Sequence, residues 1–261
     1  MFILVFSADL LRLFVAWDLL GFSSFFLIIF YRSRASIGGG ILTGLSNRVG
    51  DVFLLCFFGF SYYGSNYPFC LSGLLLLVVS FTKSAQAPFS SWLPAAMLAP
   101  TPVSALVHSS TLVTAGVYLL FRFFPVALHL LFNIGLFTTL MAGLAALLEA
   151  DSKKIIALST LSQLGLMVSS LGIGARSLCF AHLCTHASFK ALLFLAMGTC
   201  IHGIYGSQEF RGLGSLVRPS PLTLVVLVLA CSSLCGLVFL SGWATKDAIL
   251  EYSFRNGLSF F

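Results

Sequence analysis

His182, His186 and Lys190 carry the sharpest chemical signal in the sequence. Spaced four and four apart, they rotate by only about 40° from one to the next on an α-helix, so they share a face. Imidazole titrates near neutral pH and has two ring nitrogens, one to receive a proton and one to donate it. A desolvated lysine that can lose its proton extends such a stripe as a carrier. Zinc is the competing chemistry, because HxxxH pairs can ligate it. No acidic third ligand lies nearby in the sequence, and Lys190 would repel a cation. A proton relay therefore leads, a structural hydrogen-bond network comes second and a metal site last.

Other charges are isolated in the same way. Lys83 is flanked by the uncharged stretches 52–82 and 84–121. A charge that deep in apolar sequence persists only with a partner or water, or when its proton can leave. Asp18, after Trp17 in an apolar run, is its expected partner, directly or through water. Asp51 lies three residues after Arg48, a spacing that allows either a structural ion pair or a proton role. His108 sits among hydroxyls in Ser104-Ala105-Leu106-Val107-His108-Ser109-Ser110-Thr111. A lone buried histidine is as often merely hydrogen-bonded as functional. Lys153 follows Asp151 near a helix start, and Lys246-Asp247 closes a long uncharged run.

These groups must be held by membrane helices. Of the 261 residues, 8% are charged and 59% hydrophobic, and mean hydropathy is +1.03. A soluble domain carries about 25% charged residues. A spanning helix needs roughly 20 mostly apolar residues. The expected fold is an all-α polytopic membrane protein in one domain, residues 1–261. It has about eight transmembrane helices, near 9–31, 40–62, 70–97, 102–122, 126–149, 153–173, 177–204 and 221–252, after an N-terminal stub. Turn signals include Gly64-Ser65-Asn66, Phe124-Pro125 and Arg218-Pro219-Ser220. Two of the helices are expected to be broken at mid-membrane. Pro88 and Pro94 follow Lys83, and Gly236 and Gly242 precede Lys246; proline removes a backbone donor, and freed groups in a membrane must face protein or water. The net charge of +6 is spread singly at helix ends, so nucleic acid is not a partner. Arg32, Arg34, Lys153, Lys154, Arg211 and Arg218 fall on one side, against Arg12, Arg122, Arg176 and Arg255, which places the loop after the first span on the matrix or cytoplasmic side. Seven cysteines without a CxxC pair read as buried apolar side chains and give no sign of a redox centre.

Several segments, in order and spacing, resemble the antiporter-like chain 5 family of respiratory complex I, the L-type subunit of bacteria. They are Trp17-Asp18-Leu19-Leu20-Gly21-Phe22-Ser23-Ser24, Asn47-Arg48-Val49-Gly50-Asp51, Lys83-Ser84-Ala85-Gln86-Ala87-Pro88-Phe89, Pro100-Thr101-Pro102-Val103-Ser104-Ala105-Leu106-Val107-His108, Ser159-Thr160-Leu161-Ser162-Gln163-Leu164-Gly165, Thr185-His186-Ala187-Ser188-Phe189-Lys190 and Lys246-Asp247-Ala248-Ile249. The resemblance implies a proton path. Asp18 falls at the key carboxylate, Lys83 at the lysine of the first broken helix and His108 at the next relay histidine. Lys153, His182, His186 and Lys190 match central connecting groups, and Lys246 the lysine of the second broken helix, near proton exit. Arg48, Asp51 and Asp247 support them.

The resemblance further implies a subunit of a proton-pumping NADH:ubiquinone reductase in the mitochondrial inner membrane, or alternatively a bacterial one. A multi-subunit cation/proton antiporter, or a scaffold that does not pump, is the other reading. No cofactor is expected in this chain; NADH, FMN, iron–sulfur clusters and ubiquinone are implied in partner chains. Expected neighbours are lipids and other membrane-arm subunits, with separate chains supplying the family's first helices and C-terminal helices. Two departures stand out. Asp18 replaces the family's usual glutamate, and Val238 removes the proline that would make the second break.

Overall fold

The structure, a computed structural model, describes residues 1–63, 69–123, 128–204, 206–212 and 221–257. The turns at Gly64-Ser65-Asn66, Phe124-Pro125 and Arg218-Pro219-Ser220 lie outside the described residues. The regular elements that are described are all helical. They are α1 (Phe2–Phe6), α2 (Leu10–Ile28), α3 (Arg34–Tyr63), α4 (Phe69–Lys83), α5 (Trp92–Ala95), α6 (Thr101–Val103), α7 (Leu112–Phe123), α8 (Leu128–Leu148), α9 (Ser152–Gly172), α10 (Arg176–Gly203), α11 (Pro221–Cys235) and α12 (Trp243–Gly257). In a membrane only helices and closed barrels satisfy every backbone group internally. Serine and threonine hydroxyls inside these helices do the same, donating to carbonyls three residues back, as Ser80 does to Leu77 and Thr82 to Val79.

Among the described residues six helices are long and apolar enough to cross a membrane: Leu10–Tyr31, Arg34–Tyr62, Thr101–Phe123, His129–Leu148, Ser152–Gly172 and Arg176–Gly203. The shorter apolar helices Leu71–Lys83 and Pro221–Cys235 stop at breaks. The second span starts at Arg34, ahead of the expected residue 40. Glycines 38–40 lie within this helix, and at two of them the missing side chain allows close crossing. A Cβ on Gly39 would lie 2.7 Å from the Ala95 carbonyl oxygen, and one on Gly40 would lie 2.7 Å from Ile29.

The core is centred on α9, which packs against α8, α10, α7 and α5. Small residues set the α8–α9 contact. A Cβ on Gly165 would meet Thr138 Oγ1 at 2.5 Å and the Gly135 carbonyl at 2.8 Å. Gly165→Leu is therefore expected to lower stability by about 1–3 kcal/mol or more through overpacking. Gly143→Leu on the same hairpin, where nothing lies within 4 Å, should stay within about 0.5 kcal/mol. Thermal unfolding of the two detergent-solubilised variants compares them directly.

Both breaks are built from local chemistry. After Lys83 the chain leaves the helix through Ala85 at φ +54°. The freed Thr82 carbonyl accepts the Trp92 indole N–H at 2.9 Å, and the Ser84 carbonyl accepts the Gln86 amide at 3.1 Å. The second break forms without a proline. Gly236 at φ +83° ends α11, with Leu237 N–H bonded to Ser232 O and Gly236 N–H to Ser233 O. That is a Schellman cap with glycine at its left-handed position, so Val238 is no obstacle.

One irregularity has no counterpart in the sequence reading. Between α6 and α7 the chain winds as a π-helix over Ser104–Thr111, and Leu112 N–H reaches back to Val107 O. Ser109, Ser110 and Thr111 donate their hydroxyls to the carbonyls of Ala105, Leu106 and Val107. Hydroxyls bonded four residues back compete with the backbone ladder and loosen it.

Candidate functional site

The chemistry divides into two buried clusters, one beside each break, with Lys153 and His108 set apart. The first lies where α2, α3 and the end of α4 meet. Lys83 is 1% exposed. Its ammonium donates to the Trp17 carbonyl at 3.1 Å and stands 5.0 Å above the Trp17 ring, a cation–π position. Gly21 makes the room, since a Cβ there would come within 3.0 Å of Lys83 Nζ.

Asp18 is not the direct partner of Lys83. Its carboxylate accepts from Arg48 at 3.1 Å, and the same Arg48 nitrogen bonds Asp51 at 3.3 Å. The side chain of Asp18 is 39% exposed and that of Asp51 only 7%. Geometry explains the difference from the sequence expectation: Trp17 and Asp18 are neighbours on α2, and it is the Trp17 backbone and ring that face Lys83. The carboxylates line a cleft of about 220 Å³ together with Gly21, Asn47 and Arg48. The buried oxygens Asn47 Oδ1 and Asp51 Oδ1 find no protein donor there.

The second cluster joins α9, α10 and α12. His182, His186 and Lys190 are each 0% exposed. His182 Nδ1 lies 3.0 Å from Thr245 Oγ1 on α12, and its Nε2 lies 3.3 Å from Gln163 Oε1 on α9. Lys190 donates to Ser159 Oγ at 2.7 Å. His186 packs edge-on against Phe189, and neither of its nitrogens has a protein partner. Lys246, half-buried, donates to the Leu234 carbonyl at the end of α11, while Asp247 is exposed. Ser159, Gln163 and Thr245 hold the cluster together, and sequence reasoning gave them no role. The available signal was the i, i+4 spacing of Ser159 and Gln163 in an apolar span, the same periodicity that marks the histidines.

Lys153, 5% exposed, donates to the Ala99 carbonyl at 3.2 Å. It ties the start of α9 to the segment that follows α5. His108 is buried in the π-helix, which packs against α10, and neither ring nitrogen meets a protein group. The hydroxyls around it are spent on backbone carbonyls rather than on the ring. Buried polar atoms of this kind are as a rule satisfied by ordered water.

Helices that cross a bilayer, two of them broken beside a lysine, define an all-α polytopic membrane protein with charges in its interior. The chain belongs to the NADH:quinone oxidoreductase/Mrp antiporter transmembrane family, whose profile matches residues 7–261. It is 51% identical to NADH-ubiquinone oxidoreductase chain 5 of Anopheles arabiensis, over 100% of this chain and 73% of that one. It is 49% identical to the chain 5 of Locusta migratoria, over 99% of this chain but 48% of the relative, so it spans about half of that protein's length. Among solved structures, a chain of the Mrp complex from Dietzia sp. DQ12-45-1b superimposes with a TM-score of 0.90 at 33% identity, covering 97% of this chain and 31% of that one.

Proposed function

We propose that this chain is the proton-translocating core of a membrane-arm subunit of NADH:ubiquinone oxidoreductase in the mitochondrial inner membrane. It works beside other membrane-arm subunits, with about eight crossings when each broken helix counts as one. NADH oxidation and ubiquinone reduction, with the FMN and iron–sulfur chemistry they need, belong to partner chains. Residues 1–261 act as one membrane domain. Lys83, His108, Lys153, His182, His186, Lys190 and Lys246 carry the proton, and Asp18, Arg48, Asp51 and Asp247 set the field around them.

One observation carries this reading. Each interior lysine rests on a neutral oxygen: Lys83 on Trp17 O, Lys153 on Ala99 O, Lys190 on Ser159 Oγ and Lys246 on Leu234 O. A lysine locked to a carboxylate cannot give up its proton without stranding a buried anion. A carbonyl or hydroxyl can accept from an ammonium, more strongly, and also from a neutral amine, so the proton can leave and return without stranding an anion. Water beside His108, His186 and Asp51 completes the path.

The complex, purified and reconstituted into liposomes, is expected to acidify the lumen when NADH and a soluble quinone are added. A proton uncoupler should abolish that signal. The likeness to the Mrp chain favours one other reading, exchange of a cation for the proton. NADH-driven uptake of radioactive sodium that survives the uncoupler, without acidification, would establish exchange and overturn proton pumping.

A further inference from the structure

We infer that Thr245 is a positioning residue for His182, and that with Gln163 it determines which imidazole nitrogen carries the proton. This inference rests on the proton-relay reading and deepens it.

The imidazole is held at both ends by neutral groups from different helices, Gln163 of α9 at Nε2 and Thr245 of α12 at Nδ1. Gln163 presents its carbonyl oxygen, which only accepts. Nε2 of neutral His182 therefore carries the hydrogen and donates it to Gln163. Nδ1 is left with a lone pair, and the Thr245 hydroxyl donates into it. When His182 takes up a second proton, Nδ1–H becomes a donor and Thr245 Oγ1 must accept. The hydroxyl hydrogen then needs a new acceptor, and one is in place: the Gly242 carbonyl, 3.4 Å from Thr245 Oγ1. That same carbonyl accepts the backbone N–H of Lys246. Gly242 stands at the break, where an added Cβ would collide with the Ser233 carbonyl of α11. A change of charge on His182 thus reverses one hydroxyl and delivers the effect to the turn that carries Lys246. Thr185 Oγ1, 3.4 Å from Thr245 Oγ1, already donates to the His182 carbonyl and is no competitor for the hydrogen.

Thr245→Val and Thr245→Ser in the reconstituted complex test this, with pumping followed across a range of pH. The titratable groups beside His182 are His186 on α10 and Lys246 on α12, with Lys190 reaching His186 one turn further on; among the described residues α9 contributes the neutral Gln163. Thr245→Val is expected to slow pumping about fivefold, the effect of one hydrogen bond, and to change the shape of the pH profile. Thr245→Ser should restore both rate and profile. If the valine variant fails to assemble, Gln163→Leu decides: an altered profile supports the inference and a native one overturns it. A native rate and profile in Thr245→Val overturn the inference alone. Native pumping in Lys190→Met, measured alongside, overturns the relay reading itself.

Discussion

Lys190→Met is expected to leave the complex assembled while proton pumping coupled to NADH oxidation falls about a hundredfold, the low end of what one positioned acid–base group contributes. Lys190 is fully buried, and among the described residues its hydrogen bond goes to Ser159 Oγ. That hydroxyl itself donates to the Ile156 carbonyl, so removing the lysine orphans no donor. Methionine fills nearly the same unbranched volume. Replacing a buried charge with an apolar side chain of similar size is often neutral or stabilising. Assembly, read on a native gel, should therefore be normal. Pumping, read by a fluorescent ΔpH probe, should collapse because the stripe loses the carrier facing α9. Lys190→Arg should fail as well, since guanidinium keeps its proton at any accessible pH. Native pumping in Lys190→Met would make the stripe a structural network.

Much of this architecture is legible from the sequence because a bilayer leaves few alternatives. Long uncharged runs must be helices, and the charges that interrupt them must face inward. The histidine stripe is readable for the same reason, since 3.6-residue periodicity assigns His182, His186 and Lys190 to one face before any partner is known. Three features escape that logic. The second span begins at Arg34 rather than near residue 40, and the Ala95 carbonyl pressed against Gly39 shows what a glycine there makes room for. The π-helix around His108 depends on how three hydroxyls bond back to their own carbonyls, and the same Ser-Ser-Thr run in another rotamer leaves an ordinary helix. The third is the pairing at Lys83. Charge and isolation identify Asp18 and Lys83 as partners, but their direct bonds go to Arg48 and to the Trp17 carbonyl. Periodicity along one helix does not tell which neighbour a residue meets across an interface.

That third feature changes which carboxylate should matter. Asp51→Asn is expected to impair pumping more than Asp18→Asn. The Asp18 side chain is 39% exposed and shares Arg48 with Asp51. Removing its charge leaves Arg48 paired and costs what an exposed ion pair is worth, about 0–1 kcal/mol, so the pumping rate should stay within about fivefold of native. Asp51 is different: its side chain is 7% exposed, so solvent screens its charge far less. Removing an opposite charge from the surroundings of a buried lysine shifts its proton affinity by about one to three pKa units, so Asp51→Asn should slow pumping at least about tenfold. Asparagine keeps the shape and one oxygen for Arg48, so normal assembly is expected and the defect should lie in proton transfer. Both variants belong in the same liposome assay, with Asp18→Glu as a third. Lengthening that side chain by one methylene restores the family's usual residue, and it should leave the rate near native if Asp18 acts through Arg48. A larger defect in Asp18→Asn than in Asp51→Asn would return the role to Asp18. It would also mean that the Arg48 bridge opens during turnover and lets that carboxylate reach Lys83.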